Sequence, residues 1–147
     1  MKRVGIAILA SVALVIAAAA QQSGGDDPAL PKAFKATPVL KSVKTASDMK
    51  IEYPRSGQAE VVSVIGELEP GGRTARHQHP VPVFVYVLQG TLTVQAEGAQ
   101  PREYNPGQAF VEDVNHWHQA FNKSTTPVKI LVVLMGEEGK PTTITAK

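Results

Sequence analysis

All four histidines of this 147-residue chain fall in two short stretches. His77 and His79 follow Gly71 in the spacing Gly-x5-His-x-His, and His116 and His118 lie between Gly107 and Asn122. Imidazole is the commonest side-chain ligand for divalent transition metals, so histidines concentrated this way point first to a metal. In an extended strand alternate side chains share a face, which puts His77 and His79 about 6–7 Å apart along the backbone, close enough to chelate one ion. His118 is the third candidate ligand. His116 stands at the turn before it, where a place on the pocket rim or in solvent is the simpler reading.

Glu112 is the one carboxylate that competes for a place in this site. It shares a strand face with Phe110 by alternation, and the stretch up to Val111 is otherwise apolar, so a carboxylate there is out of pattern. One reading makes it a fourth ligand. The simpler one makes it a solvated charge beside Asp113 at a strand end, leaving a bare site of three histidines. Three neutral imidazoles keep the full charge of a divalent ion, and such a site favours an anionic partner: a carboxylate, an enolate or hydroxide from bound water. In a third reading the histidines are structural and hold no ion. Val83 and Val85, inward by alternation, are expected to line the pocket with Phe110 and His116, while Phe84, Tyr86 and Leu88 face outward. Iron, manganese, nickel, copper and zinc all accept imidazole, and the sequence does not choose among them.

The elements that must position these groups are short strands. Val61 to Leu68, Val81 to Leu88, Thr91 to Ala96, Gln108 to Val111, Trp117 to Phe121 and Val128 to Leu134 are rich in β-branched and aromatic residues. Turn signals separate them: Pro70-Gly71, Gln89-Gly90 and Pro106-Gly107. Pro presets φ near −65° and the following Gly supplies φ > 0, the central pair of a type II turn. No segment beyond the N-terminus sustains helical periodicity over ten residues without a Pro or Gly break, so the expected fold class is all-β, a sandwich or barrel.

The combined pattern, Gly71-x5-His77-x-His79-x10-Gly90 followed by Gly107-x10-His118-x3-Asn122, resembles the two motifs of the cupin superfamily, and Tyr86-Val87-Leu88-Gln89-Gly90 is similar to a signature of its small single-domain members. The resemblance covers Ala59 to Gly136 and implies a jelly-roll barrel with a central metal. Two departures stand out. The glutamate of the first motif falls on Val83, and the Pro and Gly of the second fall on Asp113 and Asn115. Asn tolerates the left-handed conformation, so the turn into His118 can survive, but the usual carboxylate ligand is missing. Cupins lacking it include three-His iron dioxygenases.

Residues 1–20 read as a secretory signal, with Lys2 and Arg3 ahead of the uncharged run Val4 to Ala19 and a small-x-small site before Gln21. Residues 21–47 read as a Pro- and Gly-containing arm and 48–147 as the barrel, with no membrane span once the signal is removed. A periplasmic or secreted bacterial location is expected. The chain has no cysteine, so neither disulfides nor thiolate ligands contribute. A net charge of +2 with scattered basic residues excludes a nucleic-acid footprint. The expected function is a metal-dependent oxygenase acting on a small anionic molecule; the alternative is a non-catalytic module that holds a metal or small ligand in the envelope. A homodimer through the outward Phe84, Tyr86 and Leu88 is expected, as in similar small cupins.

Overall fold

The computed structural model describes residues 35–147. The expected signal and most of the arm lie outside the described residues. Nine strands are present: β1 (Ala59–Leu68), β2 (His77–Gln78), β3 (Val83–Gln89), β4 (Leu92–Ala96), β5 (Arg102–Tyr104), β6 (Ala109–Val111), β7 (His118–Phe121), β8 (Val128–Glu137) and β9 (Ile144–Thr145). Among the described residues there is no helix, and hence none long and apolar enough to cross a membrane. The six apolar runs of the sequence each form a strand; β2, β5 and β9 add two or three residues apiece. Alternation did not reveal these short strands, because two or three residues carry too little of it to register.

The strands make two sheets in the orders β1-β8-β3-β6 and β5-β4-β7-β2-β9, with every pairing antiparallel. Alternation decides what lies between them. Val83, Val85 and Val87 of β3, Val128, Ile130 and Leu134 of β8, and Leu92, Phe110 and Ala120 form the buried core. β-Branched residues suit this place because their stiff side chains pack well on a pleated surface.

Turn chemistry fixes the register. Gly71, Gly90 and Gly107 adopt φ of 76°, 71° and 88°, as the turn signals require. At Gly90 a Cβ would also stand 2.6 Å from the Pro127 carbonyl oxygen, so only glycine fits. Asn115 takes φ of 58° in place of the motif glycine. Its N–H donates to the His79 carbonyl at 2.7 Å, tying the turn before His118 to the first histidine stretch.

The C-terminal end of the expected arm belongs to the barrel. A hairpin bridged at Lys44 and Lys50 is closed by the Thr45 N–H on the Met49 carbonyl at 2.8 Å. Its tip is pinned where the Ala46 N–H donates to the Val111 carbonyl (2.8 Å) and the Ser47 N–H to Asp113 Oδ1 (3.2 Å), while Arg102 donates to the Ala46 carbonyl.

A candidate metal centre

β2 and β7 pair with His77 directly opposite His118, and His79 follows β2 in a bridge to Val114. This register brings together three side chains that are 39 to 41 residues apart in the case of His118 and two apart for the others. Ring centroids lie 4.4 Å apart for His77 and His118, 4.9 Å for His77 and His79, and 5.3 Å for His79 and His118. One nitrogen from each ring lies within 4.8 Å of the others. This is somewhat wider than the about 3–4 Å that ligation of one ion at about 2.0–2.2 Å requires, and small ring tilts close the difference.

Each imidazole is fixed by its other nitrogen. Nδ1 of His77 meets the Ala75 carbonyl at 2.7 Å, Nδ1 of His79 the Thr142 carbonyl at 2.8 Å, and Nδ1 of His118 the His116 carbonyl at 3.0 Å. A carbonyl only accepts, so each Nδ1 carries the proton and each Nε2 is left to face the centre. This is the arrangement that orients imidazole for a metal. His118 Nε2 is buried and has no hydrogen-bond partner. A buried ring nitrogen that makes no hydrogen bond and stands beside two other imidazoles fits a divalent transition ion.

Glu112 completes the ring. Its Oε2 lies 3.1 Å from His79 Nε2 and 3.4 Å from His118 Nε2, with the side chain 11% exposed. The solvated reading of this carboxylate therefore does not hold. Glu112 follows β6 in the extended phase of Phe110, and its N–H donates to the Val83 carbonyl at 2.9 Å, so it turns inward from the strand beside the one whose motif glutamate is replaced by Val83. Asp113 turns the other way to the hairpin.

The electrostatics are those of a site holding protons where an ion would sit. Burial alone pushes the Glu112 carboxyl up, but its contacts with His118 and His79 outweigh that and hold it at about 2. Burial lowers His118, yet Glu112 beside it more than offsets this and raises it above its ordinary value. His77 is lowered, first by burial and then by the neighbouring histidines, against an opposing hydrogen bond to Ala75. An ionised Glu112 is thus balanced by a proton favouring His118, while His77 stays neutral.

A narrow cleft of about 30 Å³ reaches the centre. His118 and Glu112 form its floor, Phe110, Tyr104 and Val94 its apolar wall, and Ala46, Ser47 and His116 its rim. Tyr104 and Phe110 stack with centroids 3.9 Å apart. Of the pocket residues expected from sequence, Phe110 and His116 line this cleft. Val83 and Val85 do not: they are 0% and 2% exposed in the core, because the centre lies toward the other sheet. Arg76 pairs with Glu97 at 2.5 Å and lies over the Trp117 ring at 5.2 Å, outside the cleft.

The model of the cupin domain family matches residues 64–134, the span that carries both histidine stretches. Residues 64–134 form a cupin domain. A curated relative, the (R)-mandelonitrile lyase of Granulicella tundricola, is 36% identical over 74 residues, covering 49% of this cupin and 55% of the relative. The match thus spans about half the length of that protein. Among solved structures, a double-stranded β-helix protein of Klebsiella pneumoniae aligns with a TM-score of 0.52 at 18% identity, over 66% of this chain and 90% of that one. A DMSP lyase of Ruegeria pomeroyi aligns with a TM-score of 0.52 at 22% identity, over 58% and 43%. At such identities the structures establish the fold of this cupin and nothing further.

Two segments of the centre escaped the sequence reading. Thr142 and Thr143 orient His79, the latter through Oγ1 at 3.2 Å from Nδ1. The β-branched run Thr142-Thr143-Ile144-Thr145 after a Gly-Lys-Pro turn carried the signal for β9. Ala46 and Ser47 lay in an arm whose composition gave no hint that it returns to the barrel.

Proposed function

We propose that this cupin holds a divalent transition metal on His77, His79 and His118 with Glu112 as fourth ligand, and acts as a lyase on a small hydroxylated substrate. The observation that carries the metal is the convergence of three imidazoles whose Nδ1 atoms are all committed to carbonyls, with His118 Nε2 buried among them and making no hydrogen bond. Iron, manganese, nickel, copper or zinc suits these donors. When bound, such an ion supplies Lewis acidity toward a substrate oxygen, and with one carboxylate in the set it keeps a net positive charge that favours an oxyanion.

The lyase reading is supported by the 36% identity to a mandelonitrile lyase. Applied to a 2-hydroxynitrile, the chemistry balances simply. His116 at the rim takes the hydroxyl proton, the C–O bond becomes C=O, and the C–CN bond breaks with its electron pair on cyanide. Cyanide then recovers the proton and leaves as HCN. The apolar wall of Phe110, Tyr104 and Val94 seats the carbon skeleton.

The test is cyanide release from an aliphatic and an aromatic 2-hydroxynitrile by metal-loaded protein. Release from either, abolished in His118→Ala, supports the reading; no release from either with stoichiometric metal overturns it. Oxygenase action on a small anionic substrate is the second reading. Adjacent open positions on a three-His site suit bidentate binding and O2 activation, and oxygen uptake with chelating acids decides it. Metal without either activity would leave a binding module. Export to the bacterial envelope is part of the proposal and rests on the pattern of residues 1–20; the N-terminus of protein recovered from the envelope should be Gln21.

A further inference from the structure

Arg102 is a charge turned toward the inner face of its sheet. Among the described residues β5 pairs with β4 alone, setting Val94 opposite Arg102 and Leu92 opposite Tyr104, while β4 pairs with β7, setting Ala96 opposite His118 and Val94 opposite Ala120. Side chains directly opposite each other share a face. Leu92 and Ala120 belong to the core and Val94 lines the cleft, so Arg102 and Tyr104 lie on the same inner face as His118. From Arg102 to His118 the path is two strand spacings across and two residues along, about 12 Å between Cα atoms. Arg102 is the one lysine or arginine among the described residues that line the cleft. Arg76, Lys129 and Lys140 each have a carboxylate partner, in Glu97, Glu67 and Glu137, but among the described residues Arg102 has none. Its guanidinium donates instead to the neutral Ala46 carbonyl at the rim, which occupies only part of its fork of N–H groups. Asp113 also lines the cleft, but it accepts the Ser47 N–H at 3.2 Å. Burial pushes the Tyr104 hydroxyl above its ordinary value, against the pull of the Arg102 guanidinium beside it, so the phenol keeps its proton as a donor.

We propose that Arg102 binds a carboxylate of the substrate at the mouth of the cleft while the substrate's hydroxyl oxygen reaches the histidine centre, which makes the protein selective for hydroxylated acids over neutral alcohols. The inference rests on the metal reading above and adds the acid group to its substrate. A planar guanidinium matches a carboxylate with two parallel N–H bonds, a fit that a point charge lacks. The N–H groups not used by Ala46 remain for the acid, so binding leaves the hairpin in place. Val94, Tyr104 and Phe110 cover the carbon chain between the two ends. Because Arg102 and His118 stand on strands separated by β4, the acid group lies several atoms from the hydroxyl and away from the ion. An inward charge on an edge strand also discourages pairing with other sheets. Lysine serves that purpose equally, so substitution separates the two roles.

The probes are γ-hydroxybutyrate and its neutral amide, titrated calorimetrically into metal-loaded protein whose ion content is measured on the same sample. The acid should bind about 10–100-fold more tightly than the amide, the worth of hydrogen bonds to a charged group. In Arg102→Gln, whose side chain still donates to the Ala46 carbonyl, that ratio should fall to about one. Arg102→Lys keeps the charge without the fork and should give a ratio between the two. Equal affinity for acid and amide in the unmodified protein, or no binding of the acid at millimolar concentration, overturns the inference. So does an acid preference that survives Arg102→Gln, since the carboxylate would then sit on the ion. If both variants lose the preference completely and both melt early, Arg102 holds the hairpin and binds no acid. Protein that takes up no ion sinks the metal reading and this inference with it; protein that holds the ion but treats the probes alike sinks this inference alone.

Discussion

At the residue scale the centre depends on which nitrogen of each imidazole is free. Because each Nδ1 is held by a carbonyl, metal uptake has to displace a proton from the Nε2 side and not rotate a ring. Uptake near pH 6.5 should therefore release about one proton, measurable in weakly buffered solution. The sign of the pH effect follows from His118. Its raised pKa means protons compete for the ligand from above pH 6.5 downward, so affinity falls as pH falls through that range. Glu112, held at about 2, stays ionised throughout and does not set the profile. Replacing Glu112 by Gln should cut metal affinity by at least about 10–100-fold in a chelator competition, the range seen even for groups that only orient ligands. It should also move the affinity profile to lower pH, since His118 loses the partner that raises it. The three histidines were legible because their spacing encodes a shared face. Glu112 was legible only as one of two readings, ligand or solvated charge, because alternation says which way a side chain points and not whether a neighbouring loop closes over it.

At the level of elements, two devices hold the strands in register and each can be broken singly. Gly90→Ala would force a Cβ against the Pro127 carbonyl at positive φ, a strain of about 1–3 kcal/mol that a denaturant melt should show. Glu137, at the end of β8, accepts from the Ser56 and Gly57 N–H groups at 2.6 and 2.8 Å and pairs with Lys140. Lys140 first, then Ser56 and Gly57, overcome the opposing effect of burial and hold its carboxyl at about 2, below the ordinary 4.5. A depressed carboxyl contributes stability above its unfolded pKa and loses it as pH falls through the folded one. Melting temperature should thus drop between about pH 4.5 and 2, and Glu137→Gln should flatten that fall. The long strands were readable from composition, but this clasp was not: Ser56 and Glu137 are 81 residues apart, and only the fold joins them.

On the scale of the whole molecule, an ion that binds only the folded barrel adds to its stability by mass action. At a free concentration about 100 times the dissociation constant the gain is about 2.7 kcal/mol, and chelation should lower the melting temperature accordingly in calorimetry. The fold class was legible throughout because turns and β-branched runs repeat along the chain, whereas the boundary between arm and barrel was not, since a hairpin held by three long-range hydrogen bonds leaves no mark in composition. That hairpin has a consequence. Glu112 faces the imidazoles and Asp113, next in the chain, faces the Ser47 N–H, so one stretch of backbone is shared by the centre and the hairpin tip. A protease can therefore read the state of the centre from outside. With the ion bound and Glu112 drawn inward, cleavage at Lys41, Lys44 and Lys50 should slow, and on chelation trypsin should cut there before the barrel unfolds.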